Sequence, residues 1–428
     1  MNILYIDHYV GSISMGMEFR PYYFAREWQK LGHRVRLVGA NFSHLRKANP
    51  IVKKDLEVQT IDDVEFQWIK TGSYEGNGIA RAMTMAEFCG KLTCYAKQMV
   101  FDFCPDVIIS SSTYPLDTFA GQRMRKFAKN ALLIHEIHDM WPLTPIELYG
   151  MSPKHPFVVA MQWGENSFCK NSDRVVSVLP DACDYLVQHG MEREKFFYVP
   201  NGIDLSDWEN PEPLPELHKT VLEQAHEDGK LIICFFGSHT KSYNIDYLIK
   251  AAHQLQSDHI FLAFVGSGVY KEELMNLAKR LGLSEKSYAF LPPIGKRSIP
   301  TLLSEIDASY IGLQRNGLNR FGIGMNKLFD AMMGGKPILY AVEASNNLIR
   351  EYNCGISVDA ESVSALCSGI QRLLEMSGEE RNVLGQNGKR AVFEHFRYPV
   401  LARQFLEAMD CNCIRKQFKK LANKGGLC

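Results

Sequence analysis

The feature that most constrains this chain is an alternation, run through twice, of short apolar segments with amphipathic helical stretches. In the first half NILYID (2–7), RVRLVGA (34–40), VIIS (107–110), LLIHEIHD (132–139), RVVSVLP (174–180) and FFYVPNG (196–202) read as buried strands. Helical stretches fall between most of them, the first over 18–31 with Gly32 ending it. Strands separated by helices predict right-handed βαβ units and a mostly parallel sheet. Residues 206–229 then place three prolines in five positions among many charges, which predicts a linker with a short helix. Beyond it the pattern restarts. The strands LIICFFGS (231–238), IFLAFVGSG (260–268), YAFLPPI (288–294), ASYIGL (308–313) and KPILYAV (336–342) carry helices near 245–256, 270–281 and 326–334 between them.

The expected fold class is therefore α/β, with two Rossmann-like, doubly wound domains facing across a cleft. The expected boundaries are 1–205 for a first domain, 206–229 for the linker and 230–385 for a second domain. The segment 386–428 is expected to form a C-terminal helix packing back towards the first domain, with a basic tail. The halves share architecture and not letters. A length of 428 residues suits two domains, each large enough to bury a core without staples.

Composition narrows the function classes. Forty-eight Lys+Arg balance forty-eight Asp+Glu, so charge does not point to nucleic acid. The 11 cysteines are odd in number and form no C-x-x-C, which reads as reduced thiols in a cytoplasmic protein. The opening MNILYIDHYVGS is a strand entering a glycine loop and not a signal peptide. No window reaches the ~18 apolar residues that span a bilayer, so any membrane contact is expected to be peripheral. The tail 414–424, IRKQFKKLANK, is basic without an acid. It reads either as a solvated helix end, or as an adhesive for anionic headgroups with Phe418 and Leu421 on its apolar side.

In open parallel sheets the ligand lies beyond the carboxyl ends of the strands. Three clusters fall there. The loop HYVGSISMGMEFRPYY offers Gly11 and Gly16 for close backbone approach to an anion. Glu18 and Arg20 follow as acceptor-side candidates, Arg20 facing a phosphate or an acceptor carboxylate. Their G-x4-G spacing is not a dinucleotide fingerprint, and an ordinary strand-to-helix turn explains it equally well. In LLIHEIHDMWP, strand alternation puts Glu136 and His138 on one face and His135 on the other. His138 is the active-site candidate and Glu136 an acceptor-side one; two histidines on opposite faces do not make a metal pair. In RFGIGMNKLFDAMMGGKPILY, Asn326 and Lys327 open a helix and Asp330 follows one turn later. Free N–H groups and Lys327 suit a diphosphate, and Asp330 suits ribose hydroxyls. A capped helix with a first-turn acid is the plainer reading.

At these residues the chain resembles the GT-B fold glycosyltransferases of family 4, the retaining type. The resemblance rests on the Gly32-His33 turn, His138-Asp139-x-Trp-Pro, and Val199-Pro200-Asn201-Gly202-Ile203-Asp204. It continues in the second half with FFGS running on to Asp246, FVGSG (264–268) and NKLFDAMMGGKP (326–337). The opening residues, EIHDMWPLTPIE and F-G-x-x-x-N-K-L-F-D are most similar to bacterial O-antigen and capsule transferases, including N-acetylfucosamine transferases. The resemblance implies a nucleoside diphosphate-sugar donor, usually UDP-linked, a saccharide or lipid-linked acceptor, and no cofactor or required metal. It makes His138 the active-site histidine and Asp330 the second acid of an E-x7-E motif. The first acid falls on Gly322, and the family's phosphate-binding Arg and Lys fall on Ser238 and Tyr243, leaving Lys241 and Lys327 as cations. Gly237, Ser238, Lys241, Gly266, Met325, Asn326, Lys327 and Asp330 are the donor-side expectation. The absence of D-x-D signals no metal clamp. A GT-B epimerase and a non-catalytic nucleotide-sugar-binding homologue are the alternatives.

Overall fold

The computed structural model describes residues 1–16, 20–76 and 78–410, and of Asp207 the backbone alone. Its contacts divide the chain into two compact units: Met1–Asn201 joined by the chain from Tyr398, and Gly202–Arg397. Among the described residues no helix is long and apolar enough to cross a membrane. Glu18 and the basic tail lie outside the described residues.

The first unit holds strands β1 (Asn2–Ile6), β2 (Arg34–Ala40), β3 (Glu57–Ile61), β4 (Val64–Ile69), β5 (Val107–Ser110), β6 (Leu132–Ile137), β7 (Arg174–Ser177) and β8 (Phe196–Tyr198). They form one sheet in the order β3-β4-β2-β1-β5-β6-β7-β8. All pairs are parallel except β3 with β4. Burial explains the letters: β1 and β5 are almost wholly inaccessible, so both faces of each strand read apolar. The β3–β4 hairpin was not anticipated. Its two-residue turn is Asp62-Asp63, with φ of 48° and 64°, where an Asn-Gly pair would have announced it. Its edge strand also alternates half-buried and exposed residues, so it lacks the continuous apolar run of its neighbours.

The second unit holds β9 (Leu231–Phe236), β10 (Ile260–Val265), β11 (Tyr288–Leu291), β12 (Ala308–Gly312), β13 (Ile338–Ala341) and β14 (Gly355–Ser357). The order β11-β10-β9-β12-β13-β14 is 3-2-1-4-5-6 in chain sequence, the doubly wound arrangement of dinucleotide-binding sheets. The order reverses between β9 and β12, so the loops after these two strands diverge and leave a crevice at their carboxyl ends. In the first unit the same reversal falls between β1 and β5.

Two expected boundaries are corrected. Residues 206–229 are not a free linker. The helix Glu216–Glu227 buries Leu222 and Ala225 in the core of the second unit, and the Arg297 guanidinium donates to the Asn210 carbonyl at 2.9 Å. The proline-rich stretch read as a spacer because its anchoring contacts are long-range. The helix Gly378–His395 likewise belongs to the second unit, packing Ala391 and Val392 into that core. Only from Tyr398 does the chain join the first unit. There the helix Tyr398–Met409 lies on the helix Arg20–Lys30: Tyr398 stacks on Tyr23 at 4.6 Å, and Trp28 Nε1 donates to the Ala402 carbonyl at 3.1 Å.

Candidate active site

In the second unit the loop after β9 and the loop after β10 interlock. The Gly237 amide donates to the Val265 carbonyl at 2.9 Å and the His239 amide to the Ser267 carbonyl at 2.8 Å. A Cβ on Gly266, whose φ is 148°, would stand 1.9 Å from the Gly237 carbonyl oxygen, so this approach requires glycine. Ser238 and Lys241 are exposed on the segment that follows, and Tyr243 closes the short turn Lys241–Tyr243.

Lys327 reaches this loop from the other side of the crevice. It is the second residue of the helix Asn326–Met333, which follows β12 and is preceded by the half-buried, extended Met325. Asn326 at its start is exposed. The Lys327 ammonium lies 3.4 Å from the centre of the Tyr243 ring and 4.6 Å from that of Phe235. It is 3.1 Å from where a Gly237 Cβ would stand. The ammonium is buried and has no hydrogen-bond partner among the described residues. Burial pushes its pKa down to about 7. The aromatic faces compensate for this burial, and a cation–π contact is worth roughly 2 kcal/mol when desolvated. The local Lys–Asp ion pair that the spacing of Lys327 and Asp330 permits is therefore not formed by Lys327. Asp330 is half-buried one turn along the same helix. The His239 and Asn244 side chains are also buried without a hydrogen-bond partner among the described residues. Burial, then the charges of Lys271 and Lys327, push the His239 pKa down to about 4, so this imidazole is neutral near pH 7.

Gly322 is buried at the end of the short helix Gly317–Phe321, with φ 92° and ψ 177°. That backbone state is rarely open to an L side chain. The missing first acid is thus a matter of backbone conformation: a glutamate placed here would strain the loop. The Tyr243 departure is equally structural. Where the family pattern places a cation, this chain has a ring on which the Lys327 cation rests.

The first unit gathers a second polar cluster. His138 follows β6, with its side chain 15% exposed, and a shallow recess lined by Thr113, Tyr114 and Trp141 runs beside it. Its Nε2 lies 2.8 Å from Ser111 Oγ and 3.5 Å from Glu136 Oε2. Strand alternation does bring Glu136 and His138 to one face. His135, on the other, is buried and stacked on Phe168 at 3.9 Å, and burial pushes its pKa down to about 3.

Glu136 and Arg20 are corrected as acceptor ligands. Glu136 is wholly buried; its Oε1 receives Arg20 Nε at 2.9 Å, and its Oε2 receives the hydroxyls of Ser111, at 2.6 Å, and Tyr5. Burial favours the neutral acid, but the Arg20 charge, the His138 contact and the Ser111 bond outweigh it and hold the carboxyl well below the usual range. Arg20 is 4% exposed. Its remaining N–H groups go to the carbonyls of Pro200 at 2.6 Å and Val199 at 2.8 Å, to Asn201 Oδ1 at 3.2 Å, and back to Glu136. Arg20 therefore clamps the Val-Pro-Asn-Gly segment to the end of β6 and has no N–H to spare for a phosphate. Gly16 is corrected too. Its amide is spent on the Ser12 and Ile13 carbonyls, at 3.0 and 3.1 Å, as it closes a short helical turn. Gly11 is buried in the loop after β1. Sequence reasoning missed Ser111, whose signal is its position: the residue after β5, at the point where the strand order of the first unit reverses.

Among the described residues no three His, Cys, Asp or Glu side chains converge as metal ligands would.

Comparisons with known proteins bear on the family and the fold. Residues 15–207 match the family model described as Glycosyltransferase Family 4, and residues 220–391 match that described as Glycosyl transferases group 1. WcaI of Escherichia coli K12, assigned as a colanic acid biosynthesis glycosyl transferase, is 24% identical over 216 residues. That match covers 49% of this chain and 51% of WcaI, so this chain spans about half the length of that relative. Among solved structures, HepE of Anabaena in complex with UDP-glucose superposes with a TM-score of 0.64 at 16% identity, covering 95% of this chain and 98% of that one. WaaG, a glycosyltransferase involved in lipopolysaccharide biosynthesis, superposes with a TM-score of 0.61 at 15% identity, covering 94% and 98%. With two family models spanning most of its length and these neighbours in fold, the chain belongs to the family 4 glycosyltransferases of GT-B fold.

Proposed function

We propose that this protein transfers a sugar, with retention, from a nucleoside diphosphate-sugar, UDP-linked, to a hydroxyl of a saccharide or lipid-linked saccharide in surface polysaccharide synthesis. The observation that carries the reading is Lys327: a buried ammonium with no counter-ion among the described residues, held against aromatic rings at the switch point of a dinucleotide-type sheet. An unpaired buried cation costs several kcal/mol unless an anion arrives, and a diphosphate brings one. HepE with UDP-glucose and the naming of WcaI support the donor class and the pathway.

In this reading Lys327 and the first amides of the helix Asn326–Met333 meet the diphosphate, and Asp330 accepts from the ribose hydroxyls. As the anomeric bond breaks, negative charge grows on the leaving phosphate, where preorganised donors stabilise it by roughly 3 kcal/mol each. His138, in the first unit, is the active-site histidine of this reading. Fixed cations and helix amides carry the leaving-group charge, so no metal is invoked.

Product analysis tests the reading. Incubation with UDP-sugars and an oligosaccharide acceptor is expected to give a new glycoside. An isomerised donor would favour an epimerase, and binding without turnover a non-catalytic homologue. Unchanged UDP affinity in Lys327→Ala would remove the donor site from this helix.

A further inference from the structure

Four donors converge on the Glu136 carboxylate, and the way they are shared has a consequence for His138. Oε1 takes the Arg20 guanidinium at 2.9 Å, and Oε2 takes the Tyr5 and Ser111 hydroxyls. A carboxylate so paired only accepts hydrogen bonds. Ser111 has one hydroxyl proton, and at 2.6 Å from Oε2 that proton belongs to the Glu136 bond. The oxygen of Ser111 is then left as an acceptor towards His138 Nε2, 2.8 Å away. A nitrogen that faces an acceptor at this distance carries a proton.

We propose that Ser111, backed by the buried Arg20–Glu136 ion pair, is a positioning residue that fixes His138 as its Nε2–H tautomer and leaves Nδ1 as the lone-pair nitrogen of the neutral ring. Which ring nitrogen of a histidine is protonated is set by the bond the other groups impose on it. Here the nearer group is the serine oxygen at 2.8 Å, and the Glu136 carboxylate, with Oε2 3.5 Å from Nε2, acts on the same nitrogen from behind it. The same arrangement holds the ring plane: Ser111 is anchored by its amide, which donates to the Ile6 carbonyl at 2.8 Å. Arg20 extends the chain of contacts to the Val199 and Pro200 carbonyls, so the segment that carries the family's V-P-N-G string is tied to the orientation of the imidazole. In the neutral ring, any group that meets Nδ1 meets an acceptor. The functional consequence rests on the reading of His138 as the active-site histidine; the tautomer does not.

The test uses the full chain labelled with ¹⁵N-histidine, with the His138 signals identified by their loss in His138→Ala. In the parent, Nε2 is expected in the protonated-nitrogen range and Nδ1 in the lone-pair range. In Ser111→Ala the two signals should move towards the average of exchanging tautomers, and Ser111→Thr, which keeps the hydroxyl, should restore the parental pattern. Transfer kinetics should follow, with kcat lower by roughly ten- to a hundredfold in Ser111→Ala, as expected for a lost bond in a charged network. Donor KM should be unchanged and Ser111→Thr should rescue. A parental tautomer in Ser111→Ala would overturn the proposal, as would Ser111→Thr signals that fail to return. If Ser111→Ala does not fold, the tautomer of the parent and of Ser111→Thr decides: Nδ1–H in either refutes the arrangement. Full activity of His138→Ala would instead overturn the reading of His138 and leave the tautomer assignment standing.

Discussion

If the donor diphosphate meets Lys327, as proposed, donor binding becomes a protonation event. Burial holds its pKa at about 7 in the free protein, so at pH 8 only about a tenth of the molecules carry the ammonium charge. A bound diphosphate adds two or more negative charges within contact distance and returns the amine to its charged form. UDP binding at pH 8 is therefore expected to take up roughly 0.9 proton and at pH 6 roughly 0.1. The apparent affinity should fall about 50-fold between pH 7 and pH 9, because the competent form is diluted tenfold per unit above its pKa. Titration calorimetry in buffers of different ionisation enthalpy measures the uptake directly. Lys327→Met, which keeps the length of the side chain without charge, should abolish both the uptake and the pH slope. It should also show the cost of the site. The unfolded chain keeps this proton to about pH 10.5 while the folded chain releases it near 7, so folding stability rises with pH across that window. The methionine variant is accordingly expected to melt higher than the parent at pH 7, by roughly 1–4 kcal/mol, with the advantage fading towards pH 10. Equal proton uptake in parent and variant, or a parent affinity flat from pH 7 to 9, would refute the assignment of Lys327 to the phosphate.

The remaining expectations concern neighbouring groups. Gly322→Ala should lose roughly 1–3 kcal/mol in denaturant unfolding, because φ of 92° strains any side chain there; a neutral effect would mean that the loop relaxes freely. Asp330→Ala should weaken UDP and uridine alike, by roughly ten- to a hundredfold, whereas Lys327→Ala should weaken UDP far more than uridine, since only UDP has phosphates; calorimetry on the two variants separates ribose from phosphate contacts. Transfer should survive EDTA nearly intact if fixed cations carry the leaving-group charge, and a loss restored by Mg²⁺ or Mn²⁺ would show that they do not.

Much of the architecture was readable because a parallel strand is buried on both faces. Residues 231–236 and 260–265 are therefore apolar along their whole length and announce themselves. The β3–β4 hairpin and the three-residue β14 escaped for the opposite reason: the first lies at the sheet edge, and the second is too short to form a pattern. The candidate site was legible in part. Lys327 and Asp330 stand out as a spaced pair at a helix start, and the alternation of Glu136 with His138 follows from strand geometry. The roles of Arg20 and Gly16 were misread, because a charged or glycine residue in a loop looks the same in sequence whether its donors face a ligand or the protein's own carbonyls.

What the order of residues determined by itself is local: which segments bury both faces, where helices open, and the strings that mark the family. What only the tertiary structure decided is pairing across distance. Ser111 and His138 lie just beyond the ends of neighbouring strands, Arg20 finds its acceptors some 180 residues away, and the Lys327 ammonium settles on rings contributed by β9 and the turn after it. Periodicity reports which side of an element is buried, but not which donor meets which acceptor, and the strength of a buried charge depends on that meeting.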